Sequence, residues 1–153
     1  MALKSLNRFS SIRLWAISTR NLWLSFRYGI RLGRHTSLSL SSRIVTRRRG
    51  DIVIGADTLV AFKTLILSYD PVSDRDLPVR IGERCFVGGA STVLPGVTIG
   101  DECIVGAGSV VFHDMPDRTI AAGNPARILR EGIEVGQYGR LKSADLTSTG
   151  MGD

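Results

Sequence analysis

What this 153-residue chain lacks narrows the field before any motif is sought. It has two cysteines, Cys85 and Cys103, without metal-site spacing, so neither a disulfide framework nor a zinc module is expected. It has two histidines, His35 and His113, too few for a centre built on three imidazoles, and no metal is expected. Uninterrupted apolar runs are a few residues long, against the roughly 20 needed to cross a bilayer. No charged start, apolar centre and small-residue cleavage site is visible, so a cytoplasmic location is expected. The first fifty residues contain no Asp or Glu at all.

That last absence divides the chain. Met1 to Gly50 carry 11 Lys or Arg and no acid, whereas Asp51 to Asp153 carry 9 basic and 14 acidic residues. The formal charge of +6 therefore hides a strongly basic first third and an acidic remainder. With 43% hydrophobic and 22% charged residues, the composition suits one globular domain and argues against a disordered chain or a multidomain enzyme.

What is present in abundance is a six-residue period. Ile81, Val87, Val93, Ile99, Val105 and Val111 stand six apart, and glycine follows four of them, at Gly82, Gly88, Gly100 and Gly106. Four places after the aliphatics come Cys85, Ser91, Val97, Cys103, Ser109 and Met115, mostly small. Ile54, Val60 and Ile66 continue the pattern upstream, and Leu32, Leu38 and Ile44 form an earlier run. A hexad with one aliphatic and one small residue reads as one flat side of a triangular coil, the aliphatic pointing inward and the small residue allowing the corner. Glycine after the aliphatic relieves crowding near that corner. The expected fold is all-β, a parallel β-helix over residues 32–130. The register breaks at Thr46–Asp51 and at Ser68–Pro78, both polar, and the second is expected as a surface loop able to carry function.

The run from Val79 through Val111, with Leu94-Pro-Gly-Val97, His113-Asp-Met-Pro116 and Ala122-Gly-Asn-Pro-Ala-Arg127, resembles the hexapeptide-repeat acyltransferases. Within them it is most similar to the small sugar and polysaccharide O-acetyltransferases. The resemblance is strong from Ile54 to Arg130. It implies a left-handed β-helix, a homotrimer, and acetyl-CoA in a groove between neighbouring prisms. Gly89, Ala107 and Gly108 are then the positions beside pantetheine, with Asn124 and Arg127 near the nucleotide end. A carbonic-anhydrase use of the same fold is disfavoured by the shortage of histidine.

Acetyl transfer to a hydroxyl needs the alcohol proton removed, usually by histidine. Relatives commonly carry it in a Ser-His-Asp-Pro-like stretch of the long loop. This chain reads Ser68-Tyr69-Asp70-Pro71, so Tyr69 and Asp70 occupy the candidate catalytic positions. Tyrosine, with an ordinary pKa near about 10, is a poor base unless a cation depresses it. Three readings therefore stand: an acetyltransferase acting on a hydroxyl or amine of a sugar or lipid-linked glycan with an unconventional base, a degenerate relative that binds acyl-CoA or assembles with a paralogue, or a purely structural or interaction trimer.

Residues 1–31 read as a basic amphipathic helix, with Ser10-Ser11 a candidate break. Ile12, Trp15, Leu22, Trp23, Phe26 and Ile30 fall on one stripe, flanked by Arg13, Arg20, Arg27 and Arg34. Such a segment, over residues 3–31, suits either the inner face of an anionic membrane or packing within the assembly. No nucleic-acid module accompanies the arginines, and nucleic acid is not an expected partner. Residues 131–153 have no hexad register and are expected to be mobile.

Overall fold

The computed structural model describes residues 3–142, with side chains for 15–142. The chain opens with α1 (Leu3–Tyr28) and then winds in coils of three short strands. The first coil is β1 (Arg31–Leu32), β2 (Ser37–Leu38) and β3 (Arg43–Val45). The second is β4 (Ile52–Ile54), β5 (Leu59–Val60) and β6 (Leu65–Leu67), followed by a hairpin of β7 (Tyr69–Asp70) and β8 (Arg75–Asp76). The third coil is β9 (Val79–Ile81), β10 (Phe86–Val87) and β11 (Thr92–Val93), and the fourth is β12 (Thr98–Ile99), β13 (Ile104–Val105) and β14 (Val110–Val111). A partial fifth coil ends in β15 (Thr119–Ala122), against which β16 (Arg127–Glu131) folds back antiparallel.

Strands of successive coils stack in parallel and build a three-faced prism. The first face runs β1-β4-β9-β12, the second β2-β5-β10-β13-β15, and the third β3-β6-β11-β14. The six-residue period fixes the register: Ile54 pairs with Ile81, Val60 with Val87, and Ile66 with Val93. Each of these aliphatics is fully or almost fully buried, as are Ile99, Val105 and Val111 above them. In the first coil Leu32 and Ile44 are only partly covered, whereas Leu38 is fully buried. The buried small residues have a second task. Thr58, Ser91 and Ser109 hydroxyls donate to corner carbonyls of Gly82, Gly106 and Gly106, satisfying oxygens that face an apolar interior.

Corner chemistry is divided between two positions. Glycine just after the aliphatic serves close approach between coils: a Cβ at Gly88 would lie 2.5 Å from the Ala107 nitrogen. The left-handed residue falls two places later, at His35, Asp57, Lys63, Arg84, Ala90, Glu102 and Gly108. Non-glycine side chains occupy most of these positions, and some pair with the corner residue of the next coil, as Arg84 does with Glu102.

Helix α1 is continuous through Ser10-Ser11, so the expected break does not occur. It closes on Gly29, whose positive φ of 66° lets its N–H return to the Ser25 carbonyl at 2.9 Å. The expected apolar stripe is not the face that docks. Of its members Trp15, Leu22, Trp23 and Phe26 are exposed and only Ile30, just past the helix, is buried among those whose side chains are described; Ile17 and Leu24, outside the stripe, are buried. The side chain of Ile12 lies outside the described residues. The docking face also carries the polar contacts to the prism end: Arg20 donates to the carbonyls of Ser39 and Ser42, and Asn21 to that of Thr36.

The segment after β16 also differs from expectation. Residues 131–142 are not free of the prism: Ile133 and Val135 are buried, and Tyr138 N–H donates to the Asp57 carbonyl at 2.8 Å. A second aliphatic pair without hexad spacing cannot be told from a tail by periodicity alone. Residues 143–153 lie outside the described residues.

Candidate functional site

Each edge of the prism is set by the residue two places after the aliphatic. On the edge between the first and second faces, the Glu83 and Asp101 amides donate to the carboxylates of Asp101 and Asp117 one coil above, at 2.7 and 2.8 Å. On the edge between the second and third faces the corresponding residues are Leu40, Phe62, Gly89, Ala107 and Gly123. No acid lies there. Among the described residues, the N–H groups of Gly89 and Ala107 meet no protein acceptor, whereas Gly123 donates to Ser109 Oγ at 3.1 Å.

This edge changes character along its length. Phe62 and Leu40 are exposed apolar side chains at its lower end, beside a cavity of about 470 Å³ to which Ile17 of α1 contributes a wall. The Phe62 ring occupies the place where a Gly89 side chain would be, with ring atoms from 2.7 Å of an added Cβ. Above it Ala107 and Gly108 are exposed, whereas Gly89 is buried under that ring. At the upper end the Gly123–Ala126 turn, with Asn124–Pro125 in cis, leads into β16, and Arg127 and His113 line one cavity of about 330 Å³. Gly89, Ala107, Gly108, Asn124 and Arg127 thus share one edge.

Tyr69 and Asp70 do not. They leave the prism after β6, on the edge between the third and first faces, so one face of the prism separates them from Gly89 within a single chain. Tyr69 Oη donates to Asp74 Oδ1 at 2.9 Å, and the Arg47 guanidinium, 4.3 Å above the Tyr69 ring, donates to the same oxygen at 2.8 Å. The bond to Asp74 raises the tyrosine pKa above its ordinary value, while Arg47 and Tyr69 hold the Asp74 carboxyl below the usual range. Asp70 is occupied locally: its carboxylate accepts from Ser73 Oγ at 2.6 Å and from Val72 N–H at 3.0 Å, and both bonds lower its pKa. Neither residue is therefore poised as a base. A tyrosine donating to a carboxylate resists deprotonation, and a stabilised carboxylate has little affinity for a proton.

His35 is an outward corner residue with Nδ1 3.3 Å from Asp57 Oδ1, far from the loop that carries Tyr69. Arg47 and Asp74 were not singled out in the sequence as partners of Tyr69. The signal that brings them together is register, since β3 pairs with β6 and Val45 stands opposite Leu67. The Cys85 and Cys103 side chains lie inside the prism in adjoining coils, Cys103 N–H 3.5 Å from Cys85 Sγ. Hydrogen bonding to Cys103 and burial push the Cys85 thiol far up, leaving it unreactive.

The family described as hexapeptide repeat of succinyl-transferase matches residues 78–113. A galactoside O-acetyltransferase of Escherichia coli (strain K12) is 33% identical over 133 residues, covering 77% of this chain and 64% of that protein. A protein of the same strain named for acetyl transfer in colanic acid biosynthesis is 40% identical over 91 residues, covering 56% of this chain and 50% of its own length. Among solved structures, a hexapeptide-repeat acetyltransferase of Vibrio cholerae O1 biovar eltor in complex with acetyl coenzyme A superposes with a TM-score of 0.61 at 32% identity, covering 67% of this chain and 60% of that one. The chain spans about half the length of the curated relatives it matches. No helix among the described residues is long and apolar enough to cross a membrane.

Proposed function

The chain belongs to the hexapeptide-repeat acyltransferase superfamily, and from that premise we propose that it transfers an acetyl group from acetyl-CoA to a hydroxyl of a sugar or polysaccharide precursor. The observation that carries this reading is the exposed edge at Ala107 and Gly108, where the Ala107 N–H meets no acceptor among the described residues; the Gly89 N–H is also unpaired there but lies under the Phe62 ring. Pantetheine brings two amides that need partners once shielded from water, and those N–H groups answer one half of the need. Arg127 beside Asn124 offers a fork of donors to the nucleotide phosphates at the upper end.

In the reaction the acceptor oxygen attacks the thioester carbonyl, the C–S bond breaks, the hydroxyl proton passes to a base, and coenzyme A leaves. Because Tyr69 and the Gly89 edge stand on different corners, a complete site requires a second copy. The reading is a homotrimer of left-handed coils in which the loop of one prism faces the bare edge of the next. Within it Tyr69 positions the acceptor by accepting from its hydroxyl, rather than removing the proton. The exposed aromatic side of α1, flanked by arginine, holds the trimer at the inner face of an anionic membrane, where lipid-linked glycans are found.

A second reading, a degenerate relative that binds acyl-CoA without turning it over, is favoured by the same hydrogen bonds that occupy Tyr69 and Asp70. Calorimetric titration with coenzyme A, followed by acetyl-CoA turnover with sugar acceptors, decides among these. Binding that is weakened in Ala107→Leu supports the edge; no binding at about millimolar ligand overturns both readings. Turnover in the parent that survives Tyr69→Phe fits a base elsewhere. Turnover only in Tyr69→His identifies the degenerate form.

A further inference from the structure

One coil below the Tyr69 loop, where α1 ends, lies a separate cavity of about 210 Å³ lined by Arg27, Tyr28, Thr46, Arg47, Arg48 and Arg49. Its volume is that of about seven water molecules, enough for a tetrahedral oxyanion and the first atoms of its ester. The fold assembles it from two places. Arg49 Nη1 donates to the Arg27 carbonyl at 3.2 Å and Gly50 N–H to that of Tyr28 at 3.3 Å, which ties the helix end to the turn after β3. Pairing of β3 with β6 then sets that turn directly under the hairpin.

Four arginines border this small cavity, and their like charges favour an anion there. Two arginines elsewhere on the prism are paired with acids: Arg84 bonds Glu102 at 2.8 Å, and Arg118 lies 3.8 Å from Glu134. Here the first fifty residues hold no acid, and among the described residues the one carboxylate on these arginines is Asp74, bound to Arg47. Arg27 lies 5.4 Å from the Tyr28 ring centre, Arg49 is bound to a carbonyl, and Arg48 has no ion pair among the described residues. Apart from Asp74, no acid among the described residues compensates this cluster, and forked donors favour phosphate as its counter-ion. Arg47 also touches Tyr69, so the anion would sit next to the loop assigned to the acceptor.

We propose that this pocket holds the phosphate ester of the acceptor, a sugar bearing a phosphoryl or diphosphoryl group, and so orients the sugar ring toward Tyr69. The acceptor role rests on the acetyl-transfer reading; the anion site does not. The test is calorimetry on the full chain with inorganic pyrophosphate and glucose 1-phosphate as probes and glucose as the neutral control. The wild type binds both phosphates and not glucose, more weakly as salt rises. Arg48→Gln weakens phosphate binding about tenfold, a change of about 1.4 kcal/mol, and Arg48→Lys restores part of it. Coenzyme A binding is the same in all three proteins, and because Arg48 bonds no side chain among the described residues, melting temperatures agree. Arg27→Gln provides a second reading should Arg48→Gln misfold. Equal phosphate affinity in wild type and variants, or none in the wild type, overturns the site. If coenzyme A still binds, the acetyl-transfer reading survives that failure; phosphate binding without coenzyme A binding rejects that reading alone. Flotation with phosphatidic acid vesicles that depends on Arg48, without binding of the soluble esters, overturns the acceptor assignment.

Discussion

At the scale of single residues, position within the hexad decides what a side chain does. Gly88 is glycine for space, and adding a methyl group there forces the third and fourth coils apart. Gly88→Ala should lose about 1–3 kcal/mol in urea unfolding, the usual range for overpacking. The Asp74 carboxylate behaves differently, because its pKa is depressed by Arg47 and Tyr69. A depressed acid stabilises the fold above its unfolded pKa, near about 3.9, and the contribution disappears as pH falls through the lower folded value. The Tyr69 ring resonances should therefore shift below about pH 4, and in Asp74→Asn they should not follow that titration.

At the scale of elements, α1 shows how a hydrophobic pattern can point to the wrong face. Ile17→Ala and Leu24→Ala should each lower stability by about 2–4 kcal/mol in thermal melts, since both are buried against the prism. Trp15→Ala and Phe26→Ala, which remove side chains 69% and 78% exposed, should stay within about 0.5 kcal/mol. The same two variants should reduce flotation with anionic liposomes; unchanged recovery would remove the membrane role of that face. The hairpin β7–β8 was legible as a loop from its polar residues, but its bonds to Arg47 depend on a stacking partner 22 positions earlier in the chain.

For the whole molecule, the separation of the Tyr69 loop from the Gly89 edge is the dominant constraint. Sedimentation should give a mass of about 50 kDa, three times the 16.6 kDa chain. A monomer at working concentration would leave both half-sites open and would contradict the assembled site. The basic third of the chain acquires two roles that its charge alone did not distinguish. Arg20 closes the prism end on main-chain carbonyls, with burial lowering its pKa, and Arg27 with Arg47, Arg48 and Arg49 surrounds a cavity.

The sequence alone determined the prism, because a period of six forces every sixth side chain onto the same interior line and leaves the register no alternative. It also determined which glycines and small residues occupy one edge, since that edge repeats with the same period. Tertiary structure decided what has no period: which face of α1 docks, that residues 131–142 pack, and that Tyr69 and Asp70 are already occupied by Asp74, Ser73 and Val72. Those outcomes turn on single carbonyls and carboxylates meeting partners brought close only by the winding of the coil, and no local pattern records such meetings.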